Sequence, residues 1–142
     1  MKDSSSWDEE LIKAFSIVDS CIKKHGKKVK HLELYRKNVR KASFDFFNTV
    51  TITYQNLFSP TIASNLNSQQ ILERKIALRP SFDEIVKNMA DVKVKIAGQM
   101  RKSKKKDIIN AYMVLDGIAQ VVMDLAKMAS KSIDFLPVGS QR

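Results

Sequence analysis

The sequence predicts an all-α protein: an antiparallel up-down-up-down four-helix bundle, with a short extra helical turn ahead of its third helix. Two observations set the class. Glycine and proline are sparse, 4 and 3 in 142 residues, too few for the tight turns of a sandwich or barrel. Apolar residues recur at steps of three and four along most of the chain, the spacing that puts them on one helical face. A third observation bounds the size: with 44% hydrophobic residues, 1–142 reads as a single domain with one core, whereas two domains would each be marginal.

The elements follow in order. Ser6, Trp7, Asp8 and Glu9 have the S-x-x-E form of a capping box, so helix 1 is expected over about 7–24. Leu11, Phe15, Val18 and Ile22 line its apolar face beside Ala14 and Cys21, and Lys23, Lys24, His25, Gly26 read as a basic last turn with a glycine stop. Helix 2 is expected over about 29–56, its face stepping through Leu32, Tyr35, Val39, Ala42, Phe46, Val50, Thr53 and Leu57. Its end contains TVTITY, Thr49 to Tyr54, a β-branched alternating string that signals a strand. With no second strand to pair with, it is read as helix. FSPTIASNLNS, residues 58–68, reads as the longest connection, followed by a short turn at 69–78 that Pro80 breaks. Ser81, Phe82, Asp83 and Glu84 repeat the capping-box pattern and start helix 3, about 81–102, with Phe82, Ile85, Met89, Val92, Ile96 and Met100 on one face. Helix 4, about 105–133, has the strongest period: Ile108, Tyr112, Leu115, Ala119, Val122, Ala126, Ala129 and Ile133, with Ala111, Val114, Ile118, Val121, Leu125 and Met128 beside them. That wide apolar arc packs on more than one neighbour or leaves a face for a protein partner. Residues 134–142 form a tail.

Charge gives the functional lead. The net charge is +10, which points to a polyanionic partner. QMRKSKKKDI, residues 99–108, packs Arg101, Lys102, Lys104, Lys105 and Lys106 into six positions, and Lys23, Lys24, Lys27, Lys28, Lys30, Arg36, Lys37, Arg40 and Lys41 crowd the first connection and the start of helix 2, against the single acid Glu33. A short basic string alone is a solvated loop or a localisation-like motif. In an up-down-up-down bundle, however, the first and third connections share an end. All fourteen basic groups then form one cap that attracts phosphates and gains from counterion release. Lysine outnumbers arginine there, and only His25, His31 and Tyr35 supply rings, with Tyr35 on the core stripe. Such a patch suits backbone contact more than base reading.

Other classes lack their signatures. No phosphate-binding glycine loop, G-x-S-x-G, H-E-x-x-H or C-x-x-C occurs, so no enzyme, cofactor or metal site is expected. Cys21 reads as a small buried hydrophobe, and His25 and His31 as exposed histidines. Asp116 and Asp124 fall on the polar strip of helix 4 and read as solvated. Trp7 packs over helix 1 or anchors a partner. No run matches the apolar length of a membrane span and the polar, acidic N-terminus is unlike a signal peptide, so a soluble, cytoplasmic protein is expected.

Two families share parts of this pattern. IKKHGKK, VRKASFDFF and INAYMVLDGIAQVV resemble stretches of the small basic four-helix accessory variability determinants of diversity-generating retroelements and their relatives encoded in ribosomal RNA intervening sequences. The resemblance implies a bundle that assembles into a homo-oligomeric ring, binds RNA or DNA and associates with a reverse transcriptase. Lys23, Lys24, Lys27, Lys28, Arg36, Lys37, Arg40 and Lys41 would then be its nucleic-acid contacts. Where that family carries a glycine-rich segment, this chain reads AQVVMDL, residues 119–125. EIVKNMADV followed by KKKDIINAYMVLDGIAQVVMDLAKMA is similar to the last two helices of focal-adhesion-targeting and vinculin-like bundles. That similarity implies an acidic amphipathic peptide held on helix 4 between Lys93, Lys102 and Lys105. The first expectation is a non-enzymatic nucleic-acid-binding accessory or assembly protein; the alternative is a helix-in-groove adapter. Attachment to anionic lipid would use the same cap, but no apolar anchor stands beside it in the sequence.

Overall fold

A computed structural model of the chain describes residues 4–53, 55 and 67–134. It is all-helical, with no strand among the described residues. Helix α1 spans Ser4–His25, a 3₁₀ turn spans Gly26–Val29, α2 spans Lys30–Thr53, α3 spans Ser68–Lys102 and α4 spans Lys106–Asp134. Because the 3₁₀ turn joins α1 to α2 with no non-helical residue between, α1 to α2 is one helical run bent at Gly26, and among the described residues α3 and α4 are the other two long runs. Gly26 has φ +57, a left-handed conformation that an L side chain disfavours. The chain doubles back there, since Arg36 of α2 reaches Asp19 of α1. Helix 1 thus ends on the expected glycine, though it begins before Ser6, and the side chains of Ser6 and Trp7 lie outside the described residues.

The largest departure from expectation is α3. The turn at 69–78 and helix 3 at 81–102 are one 35-residue helix with Pro80 inside it. Proline at 80 removes the N–H that would bond the Ile76 carbonyl and crowds that carbonyl with its ring. Helix continues regardless, because burial of Phe82 and Ile85 within the next turn and a half rewards the unbroken path. Ser81 and Glu84 consequently sit mid-helix and cap nothing. The working capping box stands earlier: Gln70 N donates to Asn67 Oδ1 at 2.8 Å, and Asn67 N donates to Gln70 Oε1 at 3.0 Å.

Thr49, Ile52 and Thr53 are helical, as the reading of TVTITY requires; Tyr54 lies outside the described residues, as does the connection at 58–66 and the tail from 135. The strand signal is absorbed locally. Thr49, Thr51 and Thr53 each donate their hydroxyl to the carbonyl four residues back, at 2.8, 3.0 and 2.8 Å, so the β-branched side chains satisfy themselves within the helix. Val50, expected on the core face, is exposed instead.

The chain divides into two compact units, Met1–Lys41 with Met89–Val121, and Ala42–Asn88 with Val122–Arg142. In the first, Val18, Cys21, Leu32, Val39, Ile96, Ala111, Leu115 and Ala119 are buried, and the rings of Tyr35 and Tyr112 pack with centroids 6.5 Å apart. In the second, Phe46 and Phe82 meet at 6.0 Å and 60°, and Ile85, Val122, Ala126 and Ile133 are buried. Each large apolar side chain so buried contributes ~1.5–3 kcal/mol over leaving it in water. Helix α4 also corrects one expectation: Lys106–Ile133 is long and apolar enough, by length and composition, to cross a membrane. Within the helix Tyr112, Leu115, Ala119, Val122, Ala126 and Ile133 are buried, while 39% of its most apolar stretch is buried inside the protein.

Candidate nucleic-acid interface

The first unit holds both basic connections. At the first, the 3₁₀ turn is pinned by Val29, which is buried, while Lys27 and Lys28 on either side of the apolar direction are exposed. At the other, α3 stops at Ser103. Its hydroxyl donates to the Gln99 carbonyl at 2.8 Å and its amide to the Met100 carbonyl at 3.2 Å, which satisfies the open end of the helix. Three residues later α4 begins, with Arg101, Lys102, Lys104, Lys105 and Lys106 all exposed around the corner.

One acid sews the two connections together. Asp107, in the first turn of α4, accepts a hydrogen bond from His25 Nε2 at 2.8 Å and lies 3.3 Å from Lys24 Nζ. Its other oxygen accepts from the Ile108 amide at 2.9 Å. The hydrogen bond from His25, assisted by Lys24, holds the Asp107 carboxyl at about 2, against an ordinary 3.8. An ionised carboxylate only accepts, so Nε2 carries the imidazole proton. His25 is therefore not the exposed histidine expected: its side chain is 7% exposed, while Lys24 beside it is 71% exposed. Among the described residues, the carboxylate seen at this corner is Asp107, which pairs with His25 and Lys24, while Lys23, Lys27, Lys28 and Lys30 are exposed.

The predicted residues divide by what holds them. Lys23, Lys24, Lys27, Lys28, Lys30 and the five basic groups from Arg101 to Lys106 are exposed at the joined connections. Lys37, Arg40 and Lys41 are exposed further along α2. Arg36 is committed elsewhere. Its Nε and Nη2 donate to the two Asp19 oxygens at 2.7 and 3.0 Å, and its guanidinium lies 5.2 Å from the Phe15 ring centroid. A bidentate, stacked arginine of this kind braces α1 against α2 and presents no fork to a phosphate.

The alternative site fares differently. Lys93, expected to flank a peptide groove, donates to Asp116 at 2.9 Å, so Asp116 is paired and not simply solvated. Met113 and Val121 of α4 are exposed. Met113 belongs to neither stripe, so its exposure agrees with the spacing, whereas Val121 and Met128, both expected on the second apolar stripe, are exposed instead. Burial pushes the Cys21 thiol up, with Asp107 adding to the effect, and raises Tyr112 to about 12. Both are therefore neutral packing groups at physiological pH. Among the described residues, no three His, Cys, Asp or Glu side chains are grouped so as to hold a metal ion. In comparisons of the whole chain, no family model, no curated protein and no solved structure matches it.

Proposed function

We propose that this chain is a non-enzymatic nucleic-acid-binding protein, an accessory or assembly factor that grips phosphates through its two joined basic connections. The observation that supports the reading is the contact of Lys24 and His25 with Asp107, which sets the lysines of 23–30 beside those of 101–106. Ten basic side chains crowded at one corner repel one another. Bringing a polyanion there relieves that repulsion and releases its condensed counterions, a favourable term that grows with each phosphate neutralised. On this reading the chain is an up-down-up-down bundle, with first and third connections adjacent as that topology requires.

Fluorescence anisotropy of labelled single-stranded RNA, duplex RNA and duplex DNA, titrated over a range of salt, tests the proposal. A log-log slope of several units, at ~0.9 per phosphate on duplex DNA, is expected. Replacing Lys27, Lys28, Lys104, Lys105 and Lys106 with Gln should nearly abolish binding. Flat anisotropy for all three probes at low salt sinks the idea.

A second reading, the helix-in-groove adapter, draws on the exposure of Met113 and Val121 on α4. An acidic amphipathic peptide laid there would keep most of its affinity after the five-lysine change, because apolar area would hold it. Lys93 is already paired with Asp116, which leaves this reading fewer guiding charges than the sequence promised.

A further inference from the structure

We infer that His31, seated beside Leu34 in the midst of the basic corner, is a base-stacking position, and that the preferred polyanion is therefore single-stranded nucleic acid. The inference rests on the phosphate-binding reading above and adds to it the part of the ligand that is not phosphate.

The geometry is a short chain of ring contacts running from the core to the surface, tilted at 52° between Tyr112 and Tyr35 and near-parallel between Tyr35 and His31. Tyr112, on α4, is buried; Tyr35, on α2, is 7% exposed and packs on it with ring centroids 6.5 Å apart. His31, one turn before Tyr35, lies over that ring at 6.1 Å between centroids and 28° between planes. His31 itself is exposed. One face of the imidazole is thus backed by a tyrosine that cannot move without disturbing the core, and the rest of the ring faces solvent. Holding a surface ring in this way removes much of the rotamer freedom that an unsupported histidine would lose on stacking, so the site is preorganised.

Its surroundings match a nucleotide on both counts. Leu34, three residues on from His31 along the same helix, is 51% exposed and widens the apolar spot to something closer to the size of a base. Lys27, Lys28 and Lys30 precede the ring within about a turn, and Lys37 follows Leu34 by one turn; all four are exposed. A base stacked on His31 would place its own phosphates within the zone those ammonium groups dominate. The bases of a duplex are already stacked on one another, and reaching them requires unstacking. In a single strand they are free to turn onto a side chain.

Binding of three probes to the folded chain tests this: a short labelled oligouridine RNA, an abasic strand with the same number of phosphates, and an RNA duplex. The wild-type protein should prefer oligouridine over the abasic strand by about fivefold, the low end expected for one stacked base. His31→Ala should erase that preference and leave affinity for the abasic strand unchanged, whereas His31→Phe, which keeps a ring, should retain it. Circular dichroism spectra matching the wild type would show both variants folded. Equal wild-type affinity for base-bearing and abasic strands overturns the stacking site while sparing phosphate binding. So does a loss in His31→Ala that is the same for both strands. Absence of binding to all three probes overturns the parent reading and takes this one with it.

Discussion

His25 Nε2 lies 2.8 Å from Asp107 Oδ2, which fastens the last residue of α1 to the first turn of α4 across 82 residues of sequence. The acid is the group whose ionisation the fold uses. Its carboxyl sits at about 2 in the folded chain against 3.8 ordinarily, chiefly because His25 bonds the charged form. A depressed carboxyl stabilises the fold fully above its unfolded value and loses that contribution as pH falls through the folded one. Asp107→Asn should therefore melt below the wild type at neutral pH, and the two melting curves should converge as pH drops from 3.8 towards 2. A gap of constant size across that interval would show that the ionisation of Asp107 contributes nothing to stability.

Arg36 and Lys37 are adjacent in sequence and opposite in expected role. Arg36→Gln breaks a bidentate pair with Asp19 that is partly exposed on both sides, so its effect should be a modest ~0.2–1 kcal/mol loss of stability with phosphate binding intact. Lys37→Gln should leave stability alone and lower the salt slope of RNA binding by about one. Paired chemical melts and anisotropy titrations separate them. A loss of binding in Arg36→Gln as large as that in Lys37→Gln would place the guanidinium on the ligand after all.

Much of the core was legible because it depends on period alone. The stripes Leu32, Tyr35, Val39 and Tyr112, Leu115, Ala119, Val122 are buried as their steps of three and four require. Where local chemistry competes with tertiary packing, the sequence misleads. Pro80 and the S-x-x-E at 81–84 argue for a break that burial of Phe82 overrides, and the real cap, Asn67 with Gln70, lay unremarked in NSQQ. At the candidate site, the lysines were visible as a cluster. What joined them was not, because Asp107 and His25 are far apart in sequence and each is unremarkable alone. The count of rings similarly treated His31 and Tyr35 as separate residues, and only the helical turn between them makes a stack.

Gly26 opens the 3₁₀ turn at φ +57, and a Cβ added there meets nothing within 4 Å. Strain in the backbone, without any clash, sets the result of substitution. Gly26→Ala should lower stability by ~1–2 kcal/mol, and Gly26→Asn by less, since asparagine tolerates the left-handed region. Urea denaturation at unchanged m would report both. Because the reversal also positions Lys27 and Lys28, the alanine variant should weaken RNA binding in proportion to how far the turn shifts.

Pro80 offers the reverse experiment. Within α3, Ser68–Lys102, the Ile76 carbonyl has no amide at residue 80 to receive, and the pyrrolidine ring presses on it. Pro80→Ala supplies the amide and removes the ring, and proline in a helix interior stands ~3 kcal/mol below alanine. Against that, the freer unfolded chain takes back ~0.4–1 kcal/mol. A net gain of roughly 2 kcal/mol should appear as a higher urea midpoint with the same m, provided the helix keeps its path. A fall in the midpoint would mean that the path itself depends on proline, with buried Phe82 and Ile85 reaching their places only because the helix is deflected at residue 80.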